Sequence, residues 1–352
     1  MTRPYLSVIV PAYNCEPALA RALAALSASD LPRADWELIV ADDGSTDDTP
    51  RVAERFADRI VRVPGGPKGP ARARNDGAEE AGGEVLVFID ADVCVAPQTL
   101  RQFAALFRAR PALGAAFGAY DLVPDAPGVV SQYRNLLHHY VHSRSPGPAT
   151  TFWAGCGAVR RTAFVAAGGF DAVRYPRPQI EDIELGYRLT ALGFPILLVP
   201  EITGTHLKRW TFRGGIVTDF RDRGVPWMQL LLERRETAAA GPLNLALREK
   251  VFTVLAPLGL ACVAASLVFG SLVLALAAIV LFLCIIVGNA PLLRWFVRVR
   301  GWRFAIAVVP LRVAYYVLNA ISAGWAMLAP AGRTHRAGPA RDDRLLSSRT
   351  SS

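Results

Sequence analysis

Lysine is nearly missing from this 352-residue chain: it stands only at positions 68, 208 and 250, while Lys and Arg together number 39. The formal charge of +9 therefore rests on arginine. Abundant arginine beside abundant alanine is a compositional bias. No recognition helix, zinc finger or RNA-binding signature accompanies it, so nucleic acid is not an expected partner. Cysteine is also scarce. Cys15, Cys94, Cys156, Cys262 and Cys284 show no C-x-x-C spacing and no neighbouring His at ligand spacing, which favours a reduced compartment. The opening "MTRPYLSVIVPAYN" reaches a turn signal too early to be a secretory signal peptide, so the N-terminal module is expected to stay in the cytosol. One further absence is the most informative: no charged residue occurs between Val251 and Ala290.

What is present divides the chain in two, with 52% hydrophobic residues to build both parts. Continuous apolar runs, "LSVIVPAYN", "WELIVADDG", "DRIVRVPGG", "EVLVFIDAD" and "FPILLVPE", read as strands covered on both faces, hence a mostly parallel sheet flanked by helices. Helical patterns fall between them. Residues 16–28 carry Leu19, Leu23 and Leu26 at helical spacing; "STDDTPRVAERFA" places Asp47 and Asp48 as first-turn acids with Pro50 early in the helix. "APQTLRQFAALFRAR" and "EDIELGYRLTALGF" repeat the pattern, the second stopping at Gly193. An α/β module over 1–235 and a linker over 236–250 are expected.

The uncharged forty residues that follow exceed the roughly 20 needed for one bilayer crossing. Small residues at Gly270-Ser271 offer a break, giving two helices; residues 304–329, with Arg312 their one charge, offer a third or a helix in the interface. Between them, Arg294, Arg298, Arg300 and Arg303 mix with Trp295, Phe296, Trp302 and Phe304, the composition of a segment at a membrane surface. A membrane domain over 251–330 with two or three helices follows, then a disordered Arg-rich tail over 331–352. Arg248 and Lys250 before the first crossing and the Arg cluster after the second place the N-terminal module on the cytoplasmic side of a multi-pass inner-membrane protein.

Asp90 and Asp92 close the apolar run "EVLVFI". In an extended chain residues i and i+2 share a side, so both carboxylates can aim beyond the strand's carboxyl end, where ligands of open α/β sheets bind. Two hard oxygens there suit Mg²⁺ or Mn²⁺, although an isolated Asp-x-Asp is as readily a polar turn. Asp42 and Asp43 end another strand before a Gly turn and a helix start, placed to accept from a base N–H or a ribose hydroxyl. His138, His139 and His142 fall on an amphipathic helix at 129–143 that lacks Asp and Glu, so it is not read as a metal site.

Taken together and in order, "VIVPAYN", "VADDGSTDDT", "GPARARNDGAEEAGGEVLVFIDADV", "GCGAVRRTAFVAAGGFD" and "EDIELGYRLTALGF" resemble the family 2 glycosyltransferases of GT-A fold, in their membrane-anchored bacterial, cell-envelope type. The resemblance covers residues 6 to about 210. It implies a nucleoside-diphosphate sugar donor, a divalent metal and inversion at the anomeric carbon. On that basis Pro11, Ala12 and Tyr13 wall the nucleotide pocket, Asp43 binds the base, Asp90 lies near ribose and metal, Asp92 ligates the metal, and Lys68 and Arg74 face the nucleotide. Glu181 and Asp182 match the family's E-D motif, with Asp182 as general base. "HLKRW" resembles the Q/R-x-x-R-W box, except that His206 stands where Gln or Arg is expected. Arg209 would then face the diphosphate and Trp210 the acceptor, while His206 would meet metal or diphosphate; the departure speaks against processive polymer synthesis. The expected reaction is transfer of one sugar to a lipid or lipid-linked acceptor at the membrane. Its rivals are nucleotidyl transfer on a similar sheet and a non-catalytic membrane scaffold.

Overall fold

In a computed structural model, residues 3–234 and 247–328 are described. The apolar runs become β1 (Leu6–Ala12), β2 (Trp36–Asp42), β3 (Arg59–Arg62) and β4 (Val85–Ile89), paired in parallel in the order β3-β2-β1-β4. Every residue of β1 and β4 is buried, as strands covered on both faces require. Helices α1 (Glu16–Ser27), α2 (Thr49–Glu54) and α3 (Pro70–Glu80) connect them. Leu19, Leu23 and Leu26 of α1 lie in the core.

One helix start differs from expectation. Asp47 and Asp48 precede α2 rather than occupying its first turn: Asp47 accepts from the backbone amides of Thr49 at 3.0 Å and Glu16 at 3.3 Å. Both are amides near helix starts, which lack an intrahelical acceptor, so the acid ties the starts of α1 and α2 together.

The second half of the sheet is mixed. After β5 (Val93–Val95) and α4 (Thr99–Ala109) come β6 (Ala115–Tyr120), α5 (Val129–Ser143), β7 (Gly147–Ala149), β8 (Cys156–Arg160), α6 (Arg161–Ala166), α7 (Glu181–Ala191) and β9 (Ile196–His206). The sheet order continues β4-β8-β6-β9-β5; β8 runs antiparallel to β4 and β6, β9 parallel to β6. The carboxyl ends of β4 and β9 thus come to one edge, where β9 also pairs antiparallel with β5. α7 stops at Gly193, whose φ of +81° glycine adopts without strain.

Beyond β9, α8 (Phe212–Val217), a π-helical turn (Thr218–Gly224) and α9 (Val225–Glu233) lead away from the sheet. α10 (Leu247–Phe269) already begins within the expected linker, and α11 (Leu272–Gly288) follows a break at Gly270, which takes φ +62°. Then come α12 (Ala290–Arg300) and α13 (Trp302–Leu328). Among the described residues, α10 and α13 are each long and apolar enough to cross a membrane; α11 and α12, bent by 63°, make a third span if counted as one. Leu267, Val268, Phe269, Leu272 and Val273 around the break are largely exposed, an apolar tip that water does not favour. The expected surface segment forms α12, which packs Leu292 and Phe296 onto Tyr133 and Leu136 of α5. The expected tail, 331–352, lies outside the described residues.

Candidate active site

Asp90 and Asp92 do not share a pleat. β4 ends at Ile89, and Asp90-Ala91-Asp92 forms a tight turn into β5, with the Val93 amide donating to the Asp90 carbonyl at 3.0 Å. Strand alternation was therefore the wrong reason for their common direction, but the turn still sets both beside one cavity of about 630 Å³. The turn is held from both sides: the Asp90 amide donates to the Gly155 carbonyl at 3.2 Å, and the Leu207 amide to the Asp92 carbonyl at 2.8 Å.

Arg74 of α3 enters from below, 5% exposed, and divides its guanidinium between two acids. Its Nη2 donates to Asp90 Oδ1 at 2.6 Å and its Nη1 to Glu181 Oε1 at 2.8 Å. Burial works against the charge, but the two carboxylates hold the guanidinium firmly protonated. Glu181 also accepts from the Gln179 amide at 2.8 Å. It is an anchor rather than a free base.

Asp182, one residue on, is placed differently. Its Oδ2 accepts from the Ala154 amide at 3.1 Å and its Oδ1 from the Ile183 amide at 2.8 Å. Burial, then the charge of Glu181, outweigh these bonds and push its carboxyl up to about 6. A carboxylate tuned toward neutrality at the wall of a cavity is suited to taking a proton.

His206, the last residue of β9, faces Asp92, with 3.4 Å between Nε2 and Oδ2. Burial disfavours the charged Asp92, yet the His206 hydrogen bond and charge, with Lys208, hold it below the usual carboxylate range. The other ring nitrogen, Nδ1, lies 2.7 Å from Asn135 Oδ1, and the ring stacks on Tyr120 at 4.4 Å. A proton on Nδ1, donated to that amide oxygen, would leave the Nε2 lone pair for a metal in place of its contact with Asp92. Asp92, the second oxygen of Asp90 and His206 all line this cavity and are donors of the kind Mg²⁺ or Mn²⁺ takes. Among the described residues no group of three His, Cys, Asp or Glu is placed to hold a metal ion as it stands; ions of this kind often take only one or two carboxylates and complete their shell with phosphates and water.

The remaining expected residues are distributed unevenly. Trp210 lines the same cavity, its ring between the Arg134 guanidinium at 4.0 Å and the Lys208 ammonium at 4.4 Å. Arg209 is exposed and does not line it; Lys208 does. Pro11 and Ala12 are buried at the end of β1, and Tyr13 beyond them is 46% exposed. Asp43 is only 3% exposed, because its carboxylate accepts from the Lys68 amide at 2.8 Å and the Gly69 amide at 2.7 Å. The 64–69 loop therefore folds over the acid expected to meet a base. The Lys68 side chain stays in solvent. Gly66 permits this approach: a Cβ there would lie 2.5 Å from the Asp43 carbonyl oxygen. The neighbouring Asp42 accepts from the Ser45 amide at 3.1 Å, closing the turn.

Three cavity residues carry no signal in the sequence. Tyr120, Asn135 and Trp153 contribute single side chains from β6, α5 and the loop before β8. Asn135 precedes His138, His139 and His142 at helical spacing, and that stripe was the available clue. His138 and His142 turn to the cavity with ring centroids 3.8 Å apart. Burial and neighbouring rings hold both well below the usual histidine range, so they are neutral.

Residues 7–167 match the family model "Glycosyl transferase family 2". Validoxylamine A glucosyltransferase of Streptomyces hygroscopicus subsp. limoneus is 31% identical over 239 residues, covering 57% of this chain and 51% of that protein. The chain thus spans about half the length of that curated relative. The putative glycosyltransferase EpsE of Bacillus subtilis (strain 168) is 31% identical over 196 residues, covering 54% of this chain and 68% of EpsE. In structure, the chain resembles the mannosyltransferase PcManGT of Pyrobaculum calidifontis, solved with GDP-Man and Mn²⁺, at a TM-score of 0.62 and 23% identity over 92% of this chain and 88% of that one. Sequence motifs, sheet order and these similarities agree: the chain belongs to the family 2 glycosyltransferases and has their GT-A fold.

Proposed function

We propose that this glycosyltransferase is a membrane-anchored, inverting, metal-dependent enzyme that moves one sugar from a nucleoside-diphosphate sugar to a lipid or lipid-linked acceptor. The observation that carries the reading is the reach of the cavity. It begins at Asp90, Asp92 and Asp182 and ends against Arg312, Tyr315 and Leu318 of α13, an apolar helix long enough to span a bilayer. An acceptor that meets Asp182 can therefore remain in the membrane.

Each side chain then has a task. Asp182, ionised above about pH 6, takes the proton of the acceptor hydroxyl as its oxygen attacks the anomeric carbon. Glu181 and Arg74 fix the backbone that carries Asp182 and the carboxylate of Asp90. Asp92, His206 and Asp90 would hold Mg²⁺ or Mn²⁺, which when bound neutralises the leaving diphosphate. Lys208 adds a cation on the same side. The end of β1 and Asp43 are assigned to the nucleotide, once the 64–69 loop releases the carboxylate. Trp210 borders the acceptor, and Arg209 is left without a direct role. The catalytic module, 1–235, faces the cytoplasm, with Arg248, Lys250 and the Arg residues of α12 on the inner side of the membrane domain.

The test is transfer of radiolabelled sugar from UDP- or GDP-sugars into the organic-soluble fraction of membranes holding the full chain, with Mn²⁺ or with chelator. Asp182→Asn and Asp92→Asn are each expected to reduce transfer by at least 100-fold while keeping the wild-type melting transition. Near-normal transfer by either folded variant removes the role given to that residue, and label confined to water-soluble products removes the lipid acceptor.

A further inference from the structure

The far wall of the active-site cavity has a neighbour. Between α8, α10, α11 and α13 lies a second cavity of about 580 Å³, lined wholly by apolar residues that include Leu260, Phe282, Ile286 and Val317. The two cavities share Ile216, Ala314 and Leu318. An apolar groove within membrane-type helices is a place for hydrocarbon, and this one adjoins the active-site cavity across those three side chains.

The charges at the junction say what the hydrocarbon carries. The active-site cavity is bordered by eight Lys and Arg side chains, and most are already neutralised. Arg74 meets Asp90 and Glu181, Arg134 meets Asp219, Arg177 and Arg221 meet Asp222, and Arg248 and Arg312 meet Glu249. Lys208 and Arg223 have no carboxylate in an ion pair among the described residues. Lys208 lies on the Asp92 side, where the donor's diphosphate is assigned. Arg223 is left over. It borders the active-site cavity from the π-helical turn 218–224, which continues directly from α8, whose Ile216 lines both cavities; such helix irregularities are often found at functional sites.

We propose that the groove between α8, α11 and α13 holds the hydrocarbon chain of the acceptor lipid and that Arg223 meets a phosphate at the head of that chain. This rests on the lipid-acceptor reading above and narrows it to a phosphate-bearing lipid. The accepting oxygen is then presented to Asp182 from the membrane side, with the donor entering from the β1–β2 side.

The probe is a C16 alkyl phosphate with a terminal diazirine, used with the full chain in phosphatidylcholine nanodiscs; the corresponding alcohol is the second probe. Light is expected to label α8, α11 and α13, more strongly with the phosphate. Val317→Trp, which fills the groove, is expected to cut that labelling at least fivefold for both probes, and Leu260→Phe serves if Val317→Trp loses the melting transition. Arg223→Gln is expected to reduce the phosphate's labelling to the level of the alcohol's. Label spread over the exposed tip at Leu267 and Val273, or unchanged by a folded groove-filling variant, overturns the groove; equal wild-type labelling by phosphate and alcohol overturns the phosphate contact. Sugar-nucleotide hydrolysis by the same wild-type nanodiscs separates the two levels. No hydrolysis together with no transfer of radiolabelled sugar by membranes holding the full chain sinks the glycosyl-transfer reading whatever the label does, and either activity with groove-independent label sinks only this proposal.

Discussion

Lowering the assay from pH 7 to pH 5 is expected to reduce kcat/KM for the acceptor about tenfold, through Asp182 alone. With its carboxyl pushed up to about 6, roughly nine-tenths is ionised at pH 7 and one-tenth at pH 5. The displacement from 3.8 to about 6 corresponds to roughly 3 kcal/mol of disfavoured ionisation, at about 1.36 kcal/mol per unit. Burial is the larger cause and Glu181 the next. Glu181→Gln therefore moves the ascending limb to lower pH, by up to about one unit, since the desolvation remains. Stability follows the opposite sense. Because the folded state keeps a proton that the unfolded chain has lost between about pH 4 and 6, the contribution of Asp182 to stability is present below that window and declines as pH rises through about 6. The measurement is kcat/KM against pH at saturating donor and Mn²⁺, with melting followed in the same buffers. A profile flat down to pH 5, or a limb that Glu181→Gln leaves unmoved or raises, refutes the assignment of the base and of its tuning.

Arg74→Leu strands Asp90 and Glu181 as a close, poorly solvated pair of acids, so a loss of about 3–5 kcal/mol in denaturant unfolding is expected; a loss under 1 kcal/mol would show that the pair is hydrated. Gly66→Ala drives a Cβ to 2.5 Å from the Asp43 carbonyl and must displace the 64–69 loop. Isothermal titration with nucleoside diphosphates is expected to change by at least fivefold, and unchanged affinity would separate that loop from the nucleotide site. With a nucleoside diphosphate present, Mn²⁺ is expected to raise the melting temperature, chelator to abolish the rise, and Asp92→Asn to remove it; a full rise in Asp92→Asn would place the ion elsewhere.

What the sequence disclosed depended on how local each signal was. The runs around Val8, Leu38 and Val87 marked buried strands because apolar continuity is a property of the run itself, and Gly193 and Gly270 marked helix ends because few other residues take positive φ. The Asp90–Asp92 pair does line one cavity, but not for the reason of strand alternation: i and i+2 share a side in a strand, whereas these two sit in a turn, and nothing in the apolar run marks where the strand stops. Arg209 illustrates a different failure. Matching a motif identifies positions, not which side of an irregular segment each side chain leaves, and Lys208, one residue earlier, took the cavity side. Asp43 was legible as an acid at a strand end, but its partners, the amides of Lys68 and Gly69, lie 25 and 26 residues away and carry no side-chain signature. Tyr120, Asn135 and Trp153 were beyond reach for the same reason: each comes from a different element, and no spacing records their meeting.

The break between α11 and α12 and the buried charge within α13, Arg312, explain each other. A bend of 63° frees backbone carbonyls that lipid does not satisfy, and an arginine on a membrane helix needs acceptors just as badly. Asn289 stands at the bend. Its Nδ2 donates to the Ile285 carbonyl at 2.9 Å, while its Oδ1 accepts from Arg312 Nε at 3.0 Å and from the Tyr316 hydroxyl at 3.2 Å. Arg312 Nη2 then reaches Glu249 Oε2 at 2.7 Å, drawing in the first turn of α10. Three helices are thereby locked at one level, the level at which Arg248, Glu249, Asn289 and Arg312 border the active-site cavity. If the proposed membrane domain were only an anchor, a plain apolar hairpin would serve equally well without any of these groups. On the reading proposed above, their placement makes sense if these helices, set in a membrane, are also a wall of the active site, held in register with Asp182 so that an acceptor arriving through the bilayer would meet that carboxylate at a fixed depth.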